Sequence, residues 1–402
     1  MSESNKNLKP GWKMVKFGDV VRQCKEKVDR EENPFERYVE GGHMDSEDIH
    51  IRRWGVFGQD YVGPAFHRIF RKGQVLYGSR RTYLKKVAVA EFDGITANTT
   101  FVLETKDQNV FMQELLPFLM LTNAFTEHSI RESKGSTNPY INWSDIAKFE
   151  FPLPPIEEQK RIAEILWAAD EATRSISELE AQVETAVSVL LASKFPKRTD
   201  GSQRFVSLAS LCTKLPQSGI YKGEKFLGRG IKIVKMGQLF GNDLIDDSVE
   251  MEQMDLTDDE IERYRLTPND LLFGRRSIVL EGAGKCSMVG ELHTPIVFES
   301  SILRVSLDPA KAKTGYVYSW FKSPEGKKEL RRIRSFTTVA GITGSDLKKV
   351  KVPLLPQSKQ IEIIKILENY RVQINEIERH KKKTSNMMKA VREGMVGGAG
   401  HV

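Results

Sequence analysis

The sequence predicts an α+β protein: two similar mixed α/β domains with twisted β-sheets, separated by two long antiparallel helices forming a coiled coil, with pseudo-two-fold symmetry. Three observations carry this. At 402 residues the chain is too long for one ordinary domain and comfortable for two, each able to bury its own core. It repeats itself at a spacing of roughly 200 residues, far above the repeat length of solenoids, so the repeat is a duplicated domain. After each copy of a proline-punctuated turn, the apolar residues recur in alternate steps of three and four, which is a coiled-coil seam.

Composition narrows the class. With 40% hydrophobic and 29% charged residues and no apolar run long enough to cross a bilayer, the chain reads as soluble and globular, expected in the cytoplasm. Met1 to Pro10 is polar, carrying Glu3, Lys6 and Lys9, and does not read as a secretory signal. Cys24, Cys212 and Cys286 are widely spaced, without the Cys-x-x-Cys pattern of zinc or redox sites, and read as reduced thiols. The formal net charge of +7 permits a polyanionic partner without demanding one.

The first domain is expected over residues 1–155. Lys86-Val-Ala-Val-Ala90 and Thr100-Phe-Val-Leu103 are short β-rich runs bounded by turn residues, and Phe111 to Ala124 has helical character. The spacer helix follows over 156–197. Its seam is Ile162, Ile165, Ala169, Ala172, Ile176, Leu179, Val183, Ala186 and Leu190; Glu157 and Glu158 suit its first turn, and Pro196 ends it. The second domain, 198–356, repeats the pattern with Ile231-Lys-Ile-Val234, Ile302-Leu-Arg-Val305 and a helical Tyr316 to Ile333. The second spacer helix and tail, 357–402, carry a seam of Ile363, Ile366, Tyr370, Ile374 and Ile377, then basic Arg379 to Lys383.

The duplication is clearest where Ile141-Asn-Trp-Ser-Asp-Ile-Ala-Lys148, Pro152-Leu-Pro-Pro155 and Gln159 align in constant register with Ile342-Thr-Gly-Ser-Asp-Leu-Lys-Lys349, Pro353-Leu-Leu-Pro356 and Gln360. Earlier, Val75-Leu-Tyr-Gly-Ser-Arg-Arg81 matches Leu271-Leu-Phe-Gly-Arg-Arg276, and Val39-Glu-Gly-Gly42 matches Val234-Lys-Met-Gly237. A shared scaffold with divergent middles suits two readers of different ligand features; drift after duplication predicts the same divergence.

The stretch Phe151-Pro-Leu-Pro-Pro-Ile-Glu-Glu-Gln-Lys-Arg-Ile-Ala-Glu-Ile-Leu166 resembles the signature that follows each target recognition domain in specificity subunits of type I restriction-modification enzymes. The second copy, Val352 to Leu367, departs from it at Leu355 and at Ser358-Lys359. The resemblance covers the whole chain. It implies a non-catalytic subunit whose two domains each read half of a bipartite double-stranded DNA target, with the helices as spacer and as docking surface for two modification (methyltransferase) subunits, and with restriction or motor subunits beyond them. No cofactor is expected in this chain; S-adenosylmethionine, and ATP with Mg2+, are expected in the partner subunits. The first helix, on the order of 50 Å, exceeds the DNA pitch of about 34 to 36 Å.

Other chemistry is poorly supported. Asn138-Pro-Tyr140 lacks one proline of the Asn-Pro-Pro-Tyr loop of amino-methyltransferases. Gly282-Ala-Gly-Lys285 has Val279 and Cys286 where a phosphate loop needs Gly and Ser or Thr. His43, His50, His67 and His293 have no metal spacing, and Asp255 to Glu262 reads as a solvated surface. Base edges are read by Arg, Asn and Gln, and phosphates by Lys and Arg. The DNA-contact candidates are therefore Arg52, Arg53, Arg80, Arg81, Arg275 and Arg276, with Lys85, Lys86 and Lys285 on phosphates and Lys134, Ser136, Thr137 and Asn138 as backbone contacts. Two alternatives stay open here: a stand-alone DNA-modifying enzyme, and a protein-binding scaffold.

Overall fold

In a computed structural model of the chain, which describes residues 8–29, 32–59, 62–196, 204–277, 282–336 and 340–397, two compact units form: residues 1–177 with 379–402, and residues 178–378. Met1 to Asn7, Val279 and the expected boundary at 197/198 lie outside the described residues. Among those described, no helix is long and apolar enough to cross a membrane.

In the first unit, strands Val21–Cys24, Thr100–Thr105, Val75–Gly78 and Val87–Val89 pair antiparallel in that order. A second sheet orders Gly55–Val56, Arg37–Val39, Gly94–Ala97 and Phe66–Phe70, with Arg37–Val39 parallel to Gly94–Ala97. The second unit repeats both. Cys212–Ser218, Ile302–Leu307, Asp270–Gly274 and Cys286–Val289 match the first sheet, with Leu244–Ile245 added at the edge. Gln253–Met254, Leu227–Val234 and Ile296–Phe298 match the second sheet, with no counterpart of Phe66–Phe70 among the described residues. The central strands are buried on both faces: Val75 and Tyr77 join one core and Leu76 another, and Leu271 and Phe273 join one core and Leu272 another, as alternation along a strand dictates.

Each helical stretch read from the sequence divides in two. The first unit has Leu116–Met120 and Asn123–Arg131; the second has Thr314–Lys322 and Pro324–Arg332. The break falls at Thr122 and at Ser323, whose hydroxyls accept from the N–H of Phe125 at 3.2 Å and of Gly326 at 3.2 Å. Such a side chain satisfies an otherwise orphaned donor and starts a new helix; Pro324 also suits only a first turn.

The duplicated glutamine joins the long helix to this layer. Gln159 is buried, accepts from Met112 N–H at 3.0 Å, and donates to the carbonyls of Val110 at 2.8 Å and Pro154 at 2.9 Å. Gln360, equally buried, accepts from Lys313 N–H at 2.9 Å and donates to Leu355 O at 2.8 Å. A buried side-chain amide persists only when paired, so this residue is structural.

The long helices span Ile156–Lys194 and Gln357–Gly394. The first unit's core takes Ala163 and Leu166 from the start of one helix and Met395, beyond the end of the other, with Met388 and Val391 packed alongside. The second unit's core takes Leu191 and Phe195 from the far end of the first helix and Ile363 and Leu367 from the start of the second. The first unit is thus closed by a piece of chain distant in sequence, the second by the two helix ends that flank it. Among the seam residues, Ala169 and Ile363 are buried; Ile162, Ile176, Val183, Ile366, Tyr370, Ile374 and Ile377 are partly buried. Ile165 (36%), Leu179 (49%) and Leu190 (40%) are instead exposed. The less exposed face of the first helix runs one residue on, through Leu166, Thr173, Glu180 and Val187. The physical reason is that the helix ends must also bury side chains in their domain cores, and a strict heptad drifts around a helix of 3.6 residues per turn.

Candidate nucleic-acid interface

In each unit the strand ending in glycine continues into an arginine pinned by a later loop. In the first, Ser79 N–H donates to Thr99 O at 3.0 Å and Ile141 N–H to Ser79 O at 2.9 Å. Arg80 then lies across from Tyr140, and Tyr140 exchanges hydrogen bonds of 2.8 and 2.9 Å with Lys134. In the second, Arg275 N–H donates to Ser301 O at 2.8 Å and Ile342 N–H to Arg275 O at 3.0 Å, while Arg276 pairs with Gly341 and Gly341 with Ser335. Arg80 and Arg276 thereby occupy equivalent places on a three-segment ribbon, and both are exposed. Gly274 is required for this path, because a Cβ there would stand 2.4 Å from Gly282 O.

The first ribbon gathers six of the expected residues. Arg81, at φ +50°, donates through Nε to Asn138 Oδ1 at 3.3 Å and through its N–H to Pro139 O at 2.7 Å. Ser136, Thr137 and Asn138 are exposed in the loop between the ribbon segments. Lys134 reaches Asp145 at 3.1 Å and Lys148 reaches it at 3.2 Å; these ammoniums, Lys134 foremost, hold the Asp145 carboxyl below the usual range.

The other four first-unit candidates surround the 41–53 loop instead, and each has a local partner there. Lys85 pairs with Glu47 at 3.1 Å and donates to Asn123 Oδ1 at 3.3 Å, and Lys86 donates to Gly41 O. Arg52 pairs with Asp48 at 2.6 Å, and Arg53 with Asp45. The two arginine pairs are half-exposed, and such pairs are worth only about 0–1 kcal/mol, so an incoming phosphate can replace the carboxylate.

In the second unit Arg275 is partly buried, its Nη1 3.5 Å from Ser300 O. Lys285 is no free phosphate contact: it donates to Asp243 at 2.7 Å, and Lys322 reaches the same carboxylate at 2.6 Å. Burial pushes the Asp243 carboxyl up, but Lys322 and Lys285 outweigh it and hold it at about 2. The sequence reading missed two basic residues of the neighbouring helix that face the Lys285 loop, Lys327 and Arg331; the run Lys327-Lys-Glu-Leu-Arg-Arg332 was their signal. Of the histidines, His50 is engaged, with Nδ1 3.0 Å from Glu91 and Nε2 2.8 Å from Asp170.

A model of the type I restriction modification DNA specificity domain matches the chain twice, over residues 9–185 and 205–385. The chain is 26% identical to the EcoKI specificity subunit of Escherichia coli over 67% of its own length and 62% of that protein. It is 26% identical to the EcoDI subunit of the same species over 46% of its length, spanning 41% of that relative. With the MjaVIII specificity subunit of Methanocaldococcus jannaschii it shares 24% identity over 94% of its length and 92% of the relative. Among solved structures, the type I restriction-modification S subunit from M. genitalium superposes with a TM-score of 0.57 at 12% identity, covering 98% of each chain. A chain from a study of assembly and conformational transition in the type I R-M system gives 0.55 at 21%, covering 98% and 99%. These structures share the fold.

Proposed function

Because the chain belongs to the family of type I restriction modification DNA specificity domains, present here in two copies, we propose that each unit reads one half of a bipartite double-stranded DNA target. The observation that carries this reading is the duplicated ribbon, which holds Arg80 and Arg276 exposed at equivalent positions. A guanidinium on a rigid main-chain ribbon can fork onto guanine O6 and N7, the commonest specific base contact. The surrounding lysines and hydroxyls supply sequence-independent phosphate contacts.

The long helices serve in this reading as spacer and as docking surface for two modification subunits, which bring S-adenosylmethionine; restriction subunits add ATP and Mg2+. The chain itself is a non-catalytic, cytoplasmic recognition subunit. Methylation-sensitive sequencing of the host genome identifies the split target and its gap. Binding is then measured against duplexes varied in one half-site at a time. Arg80→Ala is expected to relax discrimination in one half and Arg276→Ala in the other, each by about 1–3 kcal/mol at the affected base. An equal small loss for every sequence would refute base reading. Cleavage or methylation by the purified chain alone would favour the stand-alone enzyme, and DNA affinity insensitive to salt would favour a protein scaffold.

A further inference from the structure

Within the second unit, an open cavity of about 440 Å3 lies between the Gly282–Lys285 loop and the Pro324–Arg332 helix. Among the described lining residues five side chains are basic, Lys285, Lys322, Lys327, Arg331 and Arg334, and none is acidic. Asp243 reaches Lys285 and Lys322 but is not among the lining residues, so it offsets one of their two charges. Lys327 and Arg331 are exposed, and among the described residues no carboxylate pairs with either. Gly284, at φ +83°, lets the main chain turn against Leu330 at the cavity wall. The cavity also adjoins the candidate base-reading ribbon, since Arg334 directly precedes Ser335, whose strand pairs with Gly341 and through it with Arg276.

The first unit has the same helix pair with different chemistry. Aligning the helix starts at Thr122 and Ser323 puts Leu121, Thr126, Ile130 and Ser133 where the second unit has Lys322, Lys327, Arg331 and Arg334. Every one of these cationic positions is neutral in the first copy. Lys86, the counterpart of Lys285 by the matching bonds of Gly78 N–H to Lys86 O and Gly274 N–H to Lys285 O, donates to Gly41 O instead.

We propose that this cavity holds a DNA backbone phosphate beside the base read by Arg276, and that the second unit therefore supplies more of the sequence-independent affinity than the first. The inference rests on the DNA-reading function proposed above and adds an asymmetry to it. Several converging cations, with no acid among the described lining residues, suit a phosphodiester oxygen pair, and each neutralised phosphate releases condensed counterions, making affinity fall with salt.

The test uses the full chain and a labelled duplex of arbitrary sequence, titrated by fluorescence anisotropy from low to physiological salt. The Lys327→Ala/Arg331→Ala double variant changes two exposed side chains, and thermal unfolding checks that it folds as the parent does. Its plot of log affinity against log salt is expected to be shallower by about 1 per removed phosphate contact, with several-fold weaker binding on every duplex tried. Arg332→Ala is the control: it lies on the same helix, pairs with Glu329 at 2.6 Å and does not line the cavity. Its slope should stay close to that of the parent. Equal effects from the control and the double variant would overturn the cavity, leaving only a diffuse positive field. An unchanged slope in the double variant, with the parent still binding steeply, would overturn the inference and leave the DNA-reading function standing. A parent chain without salt-dependent DNA affinity would overturn both.

Discussion

The two units keep the same main-chain hydrogen bonds at matched residues yet differ in what their rims carry. Phe17 N–H donates to Phe149 O in one and Leu208 N–H to Val350 O in the other; Gly78 and Gly274, and Gln159 and Gln360, repeat this agreement. The differences lie outside that frame. Among the described residues the first unit alone has the edge strand Phe66–Phe70, whereas the second adds Leu244–Ile245 and the helix Asp258–Tyr264. The helix after the Thr122 or Ser323 cap is nearly neutral in one and strongly basic in the other. Backbone pairing and core volume tolerate little change, because an unpaired buried N–H or a cavity costs free energy; solvent-facing side chains are free to diverge, and ligand recognition resides there.

The comparison breaks most sharply at the far ends of the long helices. Leu191→Ala should destabilise the second unit, and Met395→Ala the first, each by about 2–5 kcal/mol, since both side chains are buried in those cores. Hydrogen exchange of Asp270–Gly274 against Val75–Gly78 separates the two outcomes. Loss of protection in the wrong strand would mean that the crossing of chain segments between units is not as described.

A smaller effect is expected at the glutamines. Gln159→Ala and Gln360→Ala should each cost about 1–3 kcal/mol, the price of buried partners left unpaired. The first should cost more, because Gln159 makes three such bonds and Gln360 two. Urea unfolding monitored separately in each unit ranks them; a reversed order would contradict the geometry.

The smallest effect is a difference in pH response. Hydrogen bonds to Asp170 and Glu91 raise His50 to about 9. A group raised above its unfolded value of roughly 6.5 contributes stability fully present below that pH and lost as pH rises through 9. In the second unit Lys194 and Lys359 lower Glu362 to about 2, so its contribution is present above roughly 4.3 and lost as pH falls through 2. Alkali should thus loosen the first unit's helix contact and acid the second's, by about 1 kcal/mol or less for the partly exposed His50. His50→Gln should remove the alkaline limb and leave the acid limb unchanged, as read by thermal unfolding across the range from about pH 2 to about pH 10.

Much of the scaffold was legible in the residues. The match of Val75–Arg81 with Leu271–Arg276 pointed to a duplicated segment carrying arginines, and constant register through Gln159 and Gln360 pointed to a repeated helix start, because local pattern and repetition need no knowledge of distant neighbours. The site was legible only in part. Arg52 and Arg53 read as free cations, but Asp48 and Asp45 pair with them. Lys285 finds Asp243, 42 residues away, a separation at which no local pattern operates. The basic helix face was visible as a charge run yet was read inside one continuous helical stretch, Tyr316 to Ile333, since the break at Ser323 depends on a cap.

By itself the sequence determined the duplication, the strand-then-helix order of each copy and the family, because periodicity, turn residues and repeated motifs are properties of neighbouring positions. Only the tertiary structure decided which long-helix end closes which unit, which face of the first helix turns inward, and which cations stay unpaired. Those outcomes depend on side chains brought together from distant parts of the chain, where burial and charge pairing compete and the better-satisfied arrangement prevails.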